Sequence, residues 1–207
     1  MTMKERQEKN TAAIIKAIGA LEKITYDAVA ALIPNLLADK SLELDASAYT
    51  PANLESKYGV GRYLIYDHKD LDNPFSIWAF AFAPQQKTSI HDHKYRGTVS
   101  VLQGTLSEKF YTPVDDRSAI LSARYDRYRF HMNQDNVTES PSKAHQLKYR
   151  KKMAEPGTVA VSIHIYEMPA HKKDSEEQNR NLLSIFAKKP SEKIKPDYES
   201  LGLKPSL

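Results

Sequence analysis

The segments FSIWAFAF at residues 75–82 and IHDH at residues 90–93 decide how this chain folds. The first is an apolar, aromatic-rich run, which is typical of a β-strand in a protein core. The second places His91 and His93 two residues apart. Residues i and i+2 of a strand point to the same face, so the two imidazoles can aim at one point in space, as a metal ion requires.

Short β-rich runs separated by turn residues continue along the chain from about residue 60. Many short strands without alternating helices indicate an all-β barrel or sandwich. Residues 117–142 are polar and irregular in pattern, and we expect a long hairpin or excursion there. The predicted strand runs are Tyr63–Tyr66, Phe75–Phe82, Thr98–Leu102, Leu106–Tyr111, Gln146–Lys148, Thr158–Tyr166 and Leu182–Phe186.

Residues 11–38 are expected to form two helices that pack against the β-domain, because their apolar residues recur at helical spacing. Asn10 or Thr11 is the expected N-cap of the first helix, and Pro34 is expected to kink or divide the second. The chain then has a helical segment at 1–45, a β-domain at 46–190 and a tail at 191–207. The tail is expected to be a surface strap or disordered.

Length and composition are those of a soluble globular protein with one main domain. The chain has 207 residues, of which 41% are hydrophobic and 27% charged. It contains neither a long apolar run nor a signal peptide, so we expect a cytoplasmic protein without a membrane partner. A net charge of +4, spread along the chain, argues against a nucleic-acid partner.

The chain contains no cysteine, which excludes thiolate metal ligands and cysteine nucleophiles. A metal site must then use histidine and carboxylate groups. The remaining histidines are His68, His131, His145, His164 and His171. We interpret His68, His131 and His171 as surface or structural residues.

A polar stripe marks the run at residues 158–166. Ser162, His164 and Tyr166 share one face of the predicted strand, whereas Val161, Ile163 and Ile165 share the other. A polar face opposite a fully apolar one indicates that the polar residues look into a cavity.

These motifs resemble the cysteine dioxygenase family, the thiol dioxygenase branch of the cupins, over roughly residues 58–170. Ser89–His93 resembles the first ligand motif of the family, and Val101–Leu106 resembles the strand and turn that follow. Val161–Tyr166 resembles its Ser-x-His-x-Tyr motif, and His145 lies at its third-ligand spacing. The resemblance implies a cupin jelly-roll β-barrel with an all-β core and N-terminal helices.

By this resemblance, His91, His93 and His145 bind Fe(II), for which three neutral imidazoles are suitable ligands. Ser162, His164 and Tyr166 form a hydrogen-bonded chain beside the metal. Arg62 corresponds to the arginine that binds the substrate carboxylate, a role that suits a guanidinium group. A structural salt bridge is the alternative role for Arg62.

The activity implied by the resemblance is oxidation of L-cysteine with O₂ to cysteine sulfinic acid. The alternatives are 3-mercaptopropionate or another small thiol as substrate, or a non-catalytic metal-binding cupin. Gly97 stands where animal members of the family have a cysteine crosslinked to the active-site tyrosine, so Tyr166 is free of a crosslink. Lys94, Tyr95 and Arg96 are bulky neighbours of the site and are expected to reshape substrate access.

Overall fold

The computed structural model describes residues 1–128, 132–133, 144–150, 152, 154, 157–173 and 179–185. Two α-helices, a 3-10 turn and ten β-strands make up this part of the chain. The helices are α1 (Met3–Ile18) and α2 (Tyr26–Ala38), and the turn is Ala46–Ala48. The strands are β1 (Gly61–His68), β2 (Phe75–Phe82), β3 (Ile90–His93), β4 (Gly97–Gln103), β5 (Thr105–Pro113), β6 (Ser118–Tyr128), β7 (Met132–Asn133), β8 (Ala144–Lys148), β9 (Ala160–Tyr166) and β10 (Asn179–Ser184).

The strands form two sheets. One has the order β1-β2-β9-β4-β7, and the other has the order β10-β3-β8-β5-β6, in which β10 also pairs with β6. Except for that parallel pair, all neighbouring strands are antiparallel. This arrangement confirms the predicted all-β, cupin-type jelly-roll core with N-terminal helices.

The two faces of the first sheet have different partners. In β2, Ile77, Ala79 and Ala81 face outward and share one hydrophobic cluster with the two helices. Phe80 and Phe82 belong to a second cluster, inside the barrel. Because helices cover one face and the barrel interior covers the other, β2 is apolar along its length, which explains why its limits are readable from the sequence.

Helix α1 begins earlier than the sequence pattern predicts. Thr2, not Asn10 or Thr11, is the N-cap, and it forms a capping box with Glu5. Asn10 instead lies buried inside the helix. Its side-chain amide donates to the Asp45 carbonyl oxygen at 3.0 Å and contacts the Tyr49 hydroxyl at 3.1 Å. Residues distant in the sequence therefore satisfy the Asn10 amide, which has no part in capping the helix.

Helix α2 continues through Pro34 to Ala38 without dividing. Val29, Ile33 and Leu37 are buried on the side that packs against the barrel. The burial of this stripe offsets the backbone hydrogen bond that a proline cannot donate.

The polar segment at 117–142 begins with a long hairpin, as expected, because β6 pairs with β5. The remainder, apart from residues 132–133, lies outside the described residues, as do His131 and the tail at 191–207. In the part of the chain that the structure describes, neither helix is long and apolar enough to cross a membrane.

Candidate metal centre

Three histidines from two neighbouring strands meet inside the barrel. His91 and His93 lie on β3, and His145 lies on β8 directly opposite His91. Their ligand nitrogens all lie within 4.8 Å of one another. The ring centroid of His145 is 4.6 Å from that of His91 and 5.4 Å from that of His93. This spacing fits three ligands of one metal ion.

Hydrogen bonds determine which nitrogen of His91 and His93 is available. His91 Nδ1 lies 3.1 Å from the Ser89 carbonyl oxygen, and His93 Nδ1 lies 2.8 Å from the Tyr95 carbonyl oxygen. A carbonyl oxygen only accepts hydrogen bonds, so each Nδ1 carries the proton. In a neutral ring, Nε2 then holds a free lone pair, as a metal ligand needs.

Glu108 orients the third histidine. Its side chain is fully buried, and its Oε1 accepts a hydrogen bond of 2.7 Å from His145 Nδ1. His145 Nε2 is buried and has no hydrogen-bond partner among the described residues. A carboxylate behind the ring and an unsatisfied nitrogen in front of it are the usual surroundings of a metal-binding histidine. The three histidines therefore fit a divalent transition metal such as Fe(II).

Sequence reasoning did not identify Glu108. The available signal was its position in β5, where it shares one face with the buried Leu106 and Phe110. A charged residue at an apolar position of a strand needs a partner. The sequence does not show which of the seven histidines provides it.

Burial and mutual proximity keep the imidazoles of His91 and His93 neutral. Burial, together with the charges of His145 and His93, holds the pKa of His91 well below its usual range. Burial, followed by the charge of His145, lowers the pKa of His93 to about 3. Arg62 adds to the effect on His91, and Lys173 adds to the effect on His93. Neutral rings near pH 7 are ready to bind a metal.

The low pKa of His93 predicts that the metal-free protein loses stability in acid. Below its ordinary pKa of 6.5, His93 takes up a proton in the unfolded chain but not in the folded one, down to about pH 3. At pH 5 this difference in proton uptake lowers the free energy of unfolding by about 2 kcal/mol relative to its value at pH 7.5. Urea denaturation of metal-stripped protein at the two pH values measures it. The variant His93→Gln should lose about 2 kcal/mol less than wild type, whereas exposed His171→Gln should follow wild type. Equal losses in all three proteins would contradict the assignment.

A hydrogen-bonded chain runs along the inner face of β9. Ser162 Oγ lies 2.8 Å from His164 Nε2, and the Tyr166 hydroxyl lies 2.8 Å from His164 Nδ1. All three residues are buried, and the Phe80 ring stacks on His164 with a centroid separation of 4.1 Å. A neutral imidazole has one proton, so it donates on one side and accepts on the other. The chain can therefore present either a donor or an acceptor at the Tyr166 oxygen.

Gly97 leaves room for the Tyr166 ring. The two residues are paired across β4 and β9, and a Cβ at position 97 would lie 2.9 Å from Tyr166 Cδ1. The ring contacts His93 edge-on, with centroids 6.0 Å apart. Any side chain at position 97 would press on the tyrosine and displace it relative to the three histidines.

Arg62 lies on β1, at the edge of the same inner surface. It pairs with Phe80, and Phe80 pairs in turn with Ser162. The residue is exposed, its guanidinium carbon is 5.5 Å from the Phe80 ring centroid, and it lines a cavity of about 260 Å³ that also contains His91 and Tyr166. The structure thus places Arg62 beside the histidine cluster.

Asn179, Asn181 and Lys173 also line this cavity, and they were not identified from the sequence. Asn179 and Asn181 lie on β10, opposite His93 and His91 respectively, and Lys173 precedes that strand. The two asparagines are separated by two positions, so they share one strand face. That spacing was the only available signal for them, and Lys173 had none.

The side chains of Tyr95 and Arg96, which follow His93 in the sequence, point in opposite directions. Tyr95 turns inward, stacking on His93 at 4.4 Å and lining the cavity. Arg96 turns outward, binds Glu167 through two hydrogen bonds of 2.7 and 2.6 Å, and reaches Asp27 on α2 at 2.6 Å. Arg96 therefore joins the helices to the barrel and does not line the cavity, contrary to the expectation that it shapes substrate access.

A jelly-roll barrel with three convergent histidines in its interior defines the chain as a cupin with a site that can hold a metal ion. The chain belongs to the cysteine dioxygenase type I family, whose family model matches residues 2–178. This confirms the resemblance seen in the sequence motifs. The family is one of thiol dioxygenases.

Comparison with solved structures gives matches among cupins. A cupin-2 domain from Rhodospirillum rubrum is 12% identical, with a TM-score of 0.38, and the match covers 62% of this chain and 66% of that one. A cupin 2 conserved barrel domain protein from Rhodopseudomonas palustris is 14% identical, with a TM-score of 0.37. That match covers 59% of this chain and 70% of the other. Comparison with curated protein sequences gives no match.

Proposed function

We propose that this protein is an Fe(II)-dependent dioxygenase of a small thiol that carries a carboxylate. The reaction converts RSH and O₂ into the sulfinic acid RSO₂H, so both oxygen atoms are transferred to sulfur. The observation that carries the proposal is the position of the Ser162–His164–Tyr166 chain beside three histidines with available Nε2 atoms. A site that only stores a metal does not need such a chain.

The three histidines have the role of holding the metal with neutral ligands. When bound, Fe(II) would supply the activation of O₂ next to a coordinated thiolate, and the protein would supply orientation and electrostatics. Glu108 keeps the His145 ring in place through Nδ1, and carbonyl oxygens do the same for His91 and His93. All three donors are thereby oriented before the metal arrives.

Tyr166 has the role of controlling a proton at the reacting centre. Its hydroxyl is bound to His164, which is bound in turn to Ser162. When His164 donates to the tyrosine oxygen, the phenolic proton points away from His164 and can be offered to the substrate or oxygen. When the tautomer changes, the same oxygen can accept a hydrogen bond.

Arg62 has the role of binding the substrate carboxylate. A guanidinium group at the cavity wall can form two parallel hydrogen bonds with a carboxylate. L-Cysteine, the substrate implied by the family resemblance, is the first candidate. The alternative is 3-mercaptopropionate, which has the same thiol and carboxylate without the amine.

The test of the proposed function is O₂ consumption by protein loaded with Fe(II) under anaerobic conditions. L-Cysteine, 3-mercaptopropionate and cysteamine are added in turn, and the products are identified by mass spectrometry. We expect one O₂ consumed per sulfinic acid formed. Full Fe(II) loading without uptake with any small thiol would contradict the proposal and favour a non-catalytic metal-binding cupin.

Truncation of Arg62 is expected to weaken carboxylated substrates selectively. Hydrogen bonds to a charged group contribute about 1.5–3 kcal/mol, so Arg62→Ala should raise the Michaelis constant for cysteine about tenfold to a hundredfold. Cysteamine, which lacks the carboxylate, should be a poor substrate that the substitution hardly affects. The control is Arg117→Ala at an exposed turn between β5 and β6. Equal weakening of both thiols by Arg62→Ala would mean that Arg62 supports the fold instead.

A further inference from the structure

Tyr95 contacts the histidine cluster through both its backbone and its ring. Its carbonyl oxygen lies 2.8 Å from His93 Nδ1, and its ring stacks on the His93 ring with a centroid separation of 4.4 Å and an interplanar angle of 10°. The side chain is buried, with only 5% of the residue exposed. The two rings therefore lie almost parallel and form one packed unit inside the barrel, the His93–Tyr95 ring stack.

The ring of Tyr166 stands nearly perpendicular to this ring stack. Its plane makes an angle of 79° with the Tyr95 ring and 75° with the His93 ring, and the centroids are 5.4 and 6.0 Å away. Perpendicular aromatic pairs at such distances attract each other. The Tyr166 ring is also in close contact with β4, where a Cβ at Gly97 would lie 2.9 Å from Tyr166 Cδ1. Such dense packing restricts the orientations that the Tyr166 ring can adopt.

The hydroxyl of Tyr95 anchors the other end of its ring. It lies 3.2 Å from the Lys173 carbonyl oxygen and 3.0 Å from Asn179 Oδ1. Asn179 is the cross-strand neighbour of His93, and its side-chain amide also donates to the Lys173 carbonyl oxygen. Tyr95 is therefore held at its backbone by His93 and at its hydroxyl by Lys173 and β10. A buried ring that is fixed at both ends can restrain a ring that packs against it.

We propose that Tyr95 is a positioning residue for Tyr166. By packing against the Tyr166 ring, it keeps the Tyr166 hydroxyl, 2.8 Å from His164 Nδ1, in the orientation that turnover needs. Direct contact with the substrate is the competing role, because Tyr95 also lines the cavity. The inference rests on the proposed function, adds a residue that acts through Tyr166 and leaves the choice of substrate unchanged.

Loss of the Tyr95 ring should slow turnover without weakening substrate binding. Tyr95→Leu should lower kcat for L-cysteine about tenfold at matched iron content, a loss typical of a group that orients a site, with KM close to wild type. Tyr95→Met, which also lacks a ring, replaces this variant if Tyr95→Leu does not fold. Unchanged kcat would overturn the inference. A rise of KM alone would also overturn it, because Tyr95 would then contact the substrate.

Tyr95→Phe separates the ring from the hydroxyl. It keeps the perpendicular contact with Tyr166 and should restore most of the turnover that Tyr95→Leu loses. Tyr58→Leu is the matched control for loss of a tyrosine ring, since Tyr58 is 60% exposed, and it should have the kcat of wild type. A loss in Tyr95→Phe as large as that in Tyr95→Leu would overturn the role of the ring.

A double-mutant cycle shows whether Tyr95 acts through Tyr166. Residues that act as one unit have non-additive effects on catalysis. Once Tyr166→Phe has removed the hydroxyl, Tyr95→Leu has nothing left to misplace and should lower kcat little further. A double variant whose loss equals the product of the two single losses would overturn the inference.

NMR of the Tyr166 ring tests the inference without turnover. Tyrosine labelled with ¹³C at both ε carbons is incorporated into Zn(II)-loaded protein, and the Tyr166 signals are those that Tyr166→Phe removes. A restrained ring gives separate signals for its two ε carbons, whereas a rapidly flipping ring gives one averaged signal. We expect separate signals in wild type and Tyr95→Phe, and one averaged signal in Tyr95→Leu.

The NMR result distinguishes failure of this inference from failure of the proposed function. The expected pattern of signals supports the restraint of Tyr166 by Tyr95 even if no thiol is oxidised. Separate signals for the two ε carbons in Tyr95→Leu would overturn the inference even if wild type oxidises cysteine.

Discussion

His93→Ala, His91→Ala and His145→Ala should each lose most of their bound iron. The three rings provide all the nitrogen donors of the cluster, and His145 Nε2 has no other partner among the described residues. Removal of a residue that orients a ligand commonly lowers metal affinity about tenfold to a hundredfold, and we expect a loss of that size for Glu108→Gln. Removal of one of the three ligands should lower the iron affinity by more than that. Elemental analysis after anaerobic Fe(II) loading, with chelator competition for the Kd, measures both effects.

Exposed His171→Ala is the matched control for these variants and should bind about one iron per chain, like wild type. Circular dichroism shows whether each variant is folded. The result that contradicts the assignment is full iron retention in His145→Ala together with iron loss in His164→Ala. Such a result would mean that His164, and not His145, is the third metal ligand.

Tyr166→Phe and His164→Ala should bind iron normally and turn over slowly. Tyr166→Phe removes only the hydroxyl oxygen, 2.8 Å from His164 Nδ1, so the barrel packing stays intact. His164→Ala disconnects Tyr166 from Ser162. Each substitution should lower kcat about tenfold to a hundredfold with metal content matched, which is the usual cost of losing a group that orients the site.

Tyr63→Phe is the control for the loss of a tyrosine hydroxyl. The Tyr63 hydroxyl donates a 2.8 Å hydrogen bond to the Thr50 carbonyl oxygen, away from the histidine cluster, so its removal should leave kcat unchanged. Wild-type turnover by iron-matched Tyr166→Phe would remove Tyr166 from the mechanism. If iron content and activity instead fall in proportion, the role of the Ser162–His164–Tyr166 hydrogen bonds is structural.

Strand identity was predictable because it depends on local pattern. Phe75–Phe82 is β2 with the predicted limits, and the run before Tyr166 forms β9 with its polar face inward. The same alternation places His91 and His93 on one face of β3. Helix α1 shows the limit of such reasoning, because the buried amide of Asn10 is satisfied by Asp45 and Tyr49, which are far away in the sequence.

The sequence by itself therefore determined the barrel class, the His-x-His pair, the polar face of β9 and the family. Only the tertiary structure decided which groups stand behind and beside those residues. Glu108 reaches His145 through the pairing of β5 with β8, and β10 brings its asparagines next to His91 and His93. Lys173 turns inward while Arg96 turns outward. Side-chain period is a property of a single strand, whereas the neighbours of a strand depend on sheet order and register between segments distant in sequence.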